Sequence, residues 1–174
     1  MVRAGLVIYG MLPKDCPAAF TEIELRPAMT LKSSIIQIKT LEAGNTVSYG
    51  RRFETQKKTV IATIPIGYAD GYSRKLSNRS CALVHGVRVP VVGTVCMDMC
   101  MLDITELGDT VRVGDEAVLF GTQRFGEKET HLSVDEIADL SDTVNYEITC
   151  LVGKRVPRAY MSNDKIISMH SCIW

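Results

Sequence analysis

Two stretches of this chain place a phenol beside glycine: Val47-Ser48-Tyr49-Gly50, and Ile66-Gly67-Tyr68-Ala69-Asp70-Gly71-Tyr72. A third tyrosine stands in Asn145-Tyr146-Glu147. Glycine next to a side chain lets a ligand or a second stretch of backbone come close. By default, however, a tyrosine at a strand end is an amphipathic residue bridging core and surface. The other reactive groups point to less. The six cysteines (Cys16, Cys81, Cys96, Cys100, Cys150 and Cys172) form no CxxC pair, and His85, His131 and His170 are dispersed. Cys96 and Cys100 share a face if they lie on a strand, yet a metal would need two more ligands, so buried structural thiols are the better reading. No metal motif, phosphate-binding loop, dinucleotide fingerprint or GxSxG elbow occurs.

The elements that would carry these residues are mainly strands. Residues 29–41 are rich in β-branched side chains, and Gly44-Asn45 signals a turn. Residues 59–66, 81–84, 87–92, 95–104 and 116–120 read as further strands, with His85-Gly86 closing a hairpin. Short strands with turns at this spacing predict a small β-barrel or sandwich. Ser133 with Glu136 predicts a capping box opening a helix that carries Val134, Ile137 and Leu140, and a second helical stretch covers 143–152 up to Gly153. Residues 123–130 read as an exposed polar loop, 11–19 as a linker, and the tail from Ser162 as weakly structured. The opening run Leu6-Val7-Ile8-Tyr9 reads as a buried strand of a parallel sheet. A lone buried strand followed by an independent β domain looks like a cut through a larger protein.

Composition sets outer limits. Apolar residues make up 46% and charged residues 23%, and twenty basic residues cancel twenty acidic ones. That balance argues against a nucleic-acid binder, which would carry a basic excess. No apolar run approaches the roughly 20 residues that span a bilayer, and the N-terminus has no secretory layout. The expectation is a cytoplasmic protein with reduced thiols, with no nucleic-acid or membrane partner and no metal.

Five motifs, taken in order, carry a resemblance: Val-Ser-Tyr-Gly (47–50), Ile-Pro-Ile-Gly-Tyr-Ala-Asp-Gly-Tyr (64–72), Val-Gly-Thr-Val-Cys-Met-Asp-Met-Cys (92–100), Asn-Tyr-Glu (145–147) and Arg-Val-Pro-Arg (155–158). Each is weak alone; together they resemble the C-terminal half of bacterial alanine racemases, over residues 1 to about 160. The opening Val-Arg-Ala-Gly-Leu-Val-Ile-Tyr-Gly is similar to the last barrel strand of that family. The resemblance implies a mostly β, small Greek-key-type barrel domain with one or two short helices, preceded by the last strand of a TIM-type barrel. On that reading residues 1–12 are a barrel remnant, 13–160 the C-terminal β domain and 161–174 a tail.

The same resemblance implies a pyridoxal 5'-phosphate enzyme that interconverts L- and D-alanine for peptidoglycan. Its subunits pair head to tail, so each site combines the barrel of one with the β domain of the other. Tyr49 matches the acid/base that acts on one face of the substrate's α-carbon, opposite a lysine that this chain lacks. Racemisation needs two such groups, because one face must lose a proton and the other gain one. A phenol ordinarily keeps its proton at neutral pH, so its surroundings must activate it. Met97 matches the residue whose backbone N–H receives the substrate carboxylate. Arg3 matches the arginine facing the pyridine nitrogen, Gly5 and Leu6 lie near the cofactor phosphate, and Tyr146 matches the tyrosine reaching that phosphate. Tyr68, Arg74 and Asp98 match an access corridor. The chain alone is expected to be inactive and to hold no cofactor stably. The retained Tyr146 favours alanine over serine. The alternatives are a serine or broad-range racemase domain, and a non-catalytic dimerisation or binding module.

Overall fold

A computed structural model describes residues 1, 3, 5–14, 16 and 24–171. The strands are β1 (Leu31–Ser34), β2 (Gln37–Leu41), β3 (Thr46–Val47), β4 (Phe53–Glu54), β5 (Thr59–Ile64), β6 (Cys81–Val84), β7 (Val87–Val92), β8 (Cys100–Asp103), β9 (Glu116–Phe125), β10 (Lys128–Leu132), β11 (Arg158–Ser162) and β12 (Lys165–His170). Two short helices, α1 (Val134–Leu140) and α2 (Asn145–Leu151), follow β10.

The main sheet is antiparallel and runs β1-β9-β6-β7-β8-β5-β2, with β10 also on β9. Its two ends are halves of one stretch of chain. The Ile35 N–H donates to the Asp115 carbonyl and the Ile36 N–H to the Thr63 carbonyl, both at 2.9 Å. Adjacent residues thus bond to opposite edges of the path, and the bent strand closes the sheet into a barrel. β6, β7 and β8 form a meander, and β5 returns beside β8 rather than β6, which is the Greek-key arrangement. This bears out the mostly β barrel.

Strand alternation explains the interior. Ala62 and Ile64 of β5, Val89 and Val91 of β7, and Cys100 and Leu102 of β8 face the main core with Leu83, Phe120 and Leu119. Ile61, Val92 and Met101, on the opposite faces, join Val47 in a second cluster under the β3–β4 hairpin. The His85-Gly86 turn behaves as predicted: both residues have positive φ, 51° and 69°, as a two-residue hairpin of the favoured hand requires.

Several expectations need correction. The run at the N-terminus is not a strand: Gly5–Tyr9 forms a 3-10 helix with no buried residue. A strand's N–H and C=O groups need neighbours, and no described strand pairs with this segment, so it bonds locally, Gly10 N–H to the Val7 carbonyl at 3.1 Å. Residues 95–99 are irregular; only 100–103 of the expected 95–104 strand pairs. The polar stretch 123–130 is exposed only over 124–129, with Gln123 buried, and it is a hairpin rather than a loop, because β9 continues to Phe125 and pairs with β10 across the turn at Gly126. Ser133 does cap α1, its Oγ accepting from the Asp135 N–H at 3.0 Å, but there is no reciprocal box. Glu136 turns instead to Arg88 Nη1, at 2.7 and 2.9 Å, since a carboxylate gains more from a guanidinium than from an amide. The region after 158 is a hairpin, β11 against β12, with an exposed surface. The expected linker 11–19 lies partly outside the described residues, as do Cys172, Ile173 and Trp174. Cys16, Cys81, Cys96, Cys100 and Cys150 are free thiols; Cys100 is buried and Cys96 half-buried. No described helix is long and apolar enough to cross a membrane.

Candidate active site

Tyr49 opens a tight turn between β3 and β4. Its phenol is exposed, 74% of the residue being accessible, and makes no hydrogen bond among the described residues. The turn is unusual in its backbone: Ser48 (φ 67°), Gly50 (φ 73°) and Arg51 (φ 50°) are left-handed. Beneath it, Gly93 admits the strand end closely. A Cβ there would stand 2.8 Å from Ser48 Cβ and 2.9 Å from the Val47 carbonyl oxygen.

The irregular backbone at 95–99 is explained by a second turn. The Tyr68 N–H donates to the Cys96 carbonyl at 3.1 Å and the Ala69 N–H to the Met97 carbonyl at 3.0 Å. Gly67 makes that approach possible, since a Cβ on it would lie 2.2 Å from the Cys96 oxygen. Backbone committed to this loop contact cannot also enter a ladder. Asp70, buried, accepts from the Gly67 N–H at 2.8 Å and shapes the turn. Arg155 reaches Asp70 Oδ1 at 2.7 Å and Asp98 Oδ1 at 2.5 Å, tying the two loops together. These two carboxylates, Asp98 first, raise the Arg155 guanidinium above its ordinary value.

The result is a surface recess of about 480 Å³ lined by Tyr49, Tyr68, Arg74, Thr94, Val95, Cys96, Met97, Asp98 and Met99. Five residues singled out from the sequence, Tyr49, Tyr68, Arg74, Met97 and Asp98, thus share one site. The Met97 and Met99 side chains are exposed, whereas Met101, two residues further on, is in a core. The amide N–H of Met97 makes no hydrogen bond among the described residues. The Arg74 guanidinium makes no ion pair among them either. The recess therefore offers an exposed phenol, a cation and a spare N–H: a proton donor or acceptor beside groups suited to an anion.

Arg3, Gly5, Leu6 and Tyr146 lie elsewhere. Arg3 and Gly5 are exposed, Leu6 is partly covered in the N-terminal 3-10 helix, and Tyr146 is 45% exposed on α2. A second recess, of about 550 Å³, lies between Tyr9–Lys14 and α1 and α2 but is lined by none of these four. None of the four lines the recess that holds the Tyr49 group.

Sequence reading missed the scaffold of the site. The Ser48 hydroxyl donates to the Thr94 carbonyl at 2.6 Å, a contact that nothing in its local sequence signals. Thr94, Asn78 and Arg155 went unremarked as supports; Arg155 was visible within Arg-Val-Pro-Arg, but its bond to Asp70 spans 85 positions of chain that only folding brings together. Among the described residues no group of three or more His, Cys, Asp or Glu is disposed to hold a metal.

Known proteins share this architecture. An alanine racemase from Desulfovibrio desulfuricans is 49% identical over 162 residues, 92% of this chain and 41% of the relative. The structure of an alanine racemase from Clostridium difficile 630 in complex with cycloserine superposes with a TM-score of 0.88 at 42% identity, over 100% of this chain and 44% of that one. A more distant structure, an alanine racemase from Bartonella henselae with covalently bound pyridoxal phosphate, gives 0.74 at 29% identity, over 86% of this chain and 38% of that one. The chain spans less than half the length of the curated relatives it matches. The family model described as alanine racemase, C-terminal domain, matches residues 28–160, and the chain belongs to that family.

Proposed function

We propose that this chain is the β domain of an alanine racemase and completes the pyridoxal-phosphate site of a second subunit. The observation that carries the reading is the recess in which the exposed Tyr49 phenol stands with a Met97 N–H and an Arg74 guanidinium that make no hydrogen bond and no ion pair, respectively, among the described residues. Tyr49 holds or releases a proton at the α-carbon on one face of the substrate. The Met97 N–H receives the substrate carboxylate, which fixes the amino acid relative to the phenol. Tyr68, Arg74 and Asp98 line the approach, and Arg74 attracts the carboxylate of a substrate entering it.

The second group of residues supports a shared site. Arg3 and Tyr146 carry a guanidinium and a hydroxyl that make no side-chain bond among the described residues, and the space beside Gly5 is open, with nothing within 4 Å of an added Cβ. This donor set fits a phosphorylated pyridine. Arg3 would hold the ring nitrogen, and the backbone at Gly5 and Leu6 with the Tyr146 hydroxyl would hold the phosphate. When bound, the cofactor supplies the electron sink that lets the α-proton leave. Because these residues do not line the recess of the Tyr49 group, one chain serves two sites in a head-to-tail homodimer. Residues 1–12 then belong to the preceding cofactor-binding barrel, and the chain by itself is inactive. L- and D-alanine are the substrates, feeding peptidoglycan synthesis in the cytoplasm; Tyr146 leaves less room for the hydroxyl of serine.

The test joins this chain to the barrel half of the 42%-identical Clostridium difficile enzyme. Tyr49→Phe should abolish exchange of the α-proton with deuterated solvent on one face while cofactor absorbance is kept. Survival of exchange on both faces overturns the role of Tyr49 and favours a non-catalytic module. The 174-residue chain, mixed with pyridoxal phosphate and borohydride, should trap no adduct at a specific lysine.

A further inference from the structure

The turn that presents Tyr49 is held by hydrogen bonds from the Ser48, Thr94 and Asn78 side chains, of which Thr94 is buried. Left-handed backbone at residues other than glycine persists only where surrounding contacts over-determine it, and Ser48 and Arg51 are two such residues within four positions. Their restraints form a closed circuit. Ser48 Oγ donates to the Thr94 carbonyl at 2.6 Å, and Thr94 Oγ1 donates to the Tyr49 carbonyl at 2.8 Å. At the far end of the turn, Asn78 Nδ2 donates to the Arg52 carbonyl at 3.1 Å, and Asn78 Oδ1 accepts from the Gly93 N–H at 2.6 Å. Ser77 Oγ accepts from the Val95 N–H at 2.9 Å, adding a tie three residues before Asp98.

Two features set Thr94 apart from a packing residue. It is 2% exposed, and valine would fill its volume; what it adds is a hydroxyl aimed at the carbonyl of the residue that carries the phenol. It also lies three positions before Met97, on the segment that lines the recess beside Tyr49. We propose that Thr94, backed by Ser48 and Asn78, is a positioning residue that sets the Tyr49 phenol relative to the Met97 N–H. The inference rests on the function proposed above. A buried hydroxyl with its own acceptor is costly to lose, and a proton-transfer group displaced by about 1 Å can lose about a hundredfold in rate. The loss falls on proton transfer and not on binding, because the Met97 backbone stays anchored through its carbonyl, which accepts from the Ala69 N–H.

The experiment compares Thr94→Val, Thr94→Ser and Tyr49→Phe in the chain joined to the relative's barrel, using α-deuterated L- and D-alanine. Thr94→Val should lower kcat by about tenfold to a hundredfold, leave KM within about twofold, and raise the α-deuterium isotope effect only in the direction where Tyr49 removes the proton. Thr94→Ser, which keeps the hydroxyl, should restore kcat. If Thr94→Val does not fold, Ser48→Ala is held to the same outcomes. Should Tyr49→Phe abolish one direction while Thr94→Val or Ser48→Ala leaves kcat unchanged, or raises the isotope effect equally in both directions, the positioning role is overturned and the role of Tyr49 stands. Should Tyr49→Phe leave both directions intact, the underlying function falls instead, and the positioning role with it.

Discussion

Arg155 Nε lies 2.7 Å from Asp70 Oδ1, and Asp70 in turn accepts the Gly67 N–H through its other oxygen. The pair joins the chain's late Arg-Val-Pro-Arg segment to the turn on which the recess is built. Asp70 is buried while the Asp98 carboxylate at the other end of Arg155 is half exposed. Asp70→Ala leaves a buried N–H without its acceptor and should cost about 1–3 kcal/mol. Asp98→Asn, on the wet side, should cost less than about 1 kcal/mol. Urea unfolding of the two variants checks the order; equal midpoints would remove Asp70 from the scaffold.

Gly67→Ala tests the packing of the two loops. The added Cβ would meet the Cys96 and Met97 carbonyls at 2.2 and 2.4 Å, and neither is a flexible side-chain end that could swing aside. The expected outcome is a loss of about 1–3 kcal/mol, the usual range for overpacking, with faster amide hydrogen exchange at 67–70 and 96–97. Unchanged exchange there contradicts the contact.

Alkaline pH should weaken the domain through its interior. Burial pushes the Cys100 thiol from an ordinary 9.0 up to about 12, and burial also pushes the Tyr72 phenol up. Each group is neutral with its proton on, and the unfolded chain gives that proton up sooner. Between the unfolded and folded values the folded chain holds more protons, so stability falls as pH rises. The Cys100 contribution is intact below about pH 9 and is lost between about pH 9 and 12. Denaturant midpoints across this range should decline, and Cys100→Ala should flatten part of the slope. An unaltered slope in that variant would assign the loss to other groups.

Helix α1 separates a cap from an ion pair. Ser133→Ala removes the acceptor for the Asp135 N–H and should cost about 1 kcal/mol. Glu136→Gln leaves the cap intact and removes only the partly exposed Arg88 pair, so its loss should be smaller and should shrink in high salt. Melting curves with and without added salt distinguish the two.

Much of this was legible locally. The His85-Gly86 turn, the strands at 59–64 and 87–92, the Ser133 cap and both helices follow from turn chemistry and side-chain period, which act over a few residues. Tyr49, Tyr68, Arg74, Met97 and Asp98 were found through motif order. Their meeting in one recess was not readable from spacing, because Tyr49 and Met97 are brought together by sheet pairing and loop contacts across nearly fifty positions.

Local pattern failed where a segment's partners lie far away in sequence. Leu6–Tyr9 has a strand's composition and no described strand to pair with; residues 95–99 are apolar enough for a strand but spend their backbone on the Gly67 turn. The polar 123–125 stretch became strand because β10 pairs with it. Composition and period thus determined which residues could enter a β core. Tertiary structure decided which backbone groups found ladders and which were left to shape the recess, since a hydrogen bond needs a partner and the partner is chosen by the fold.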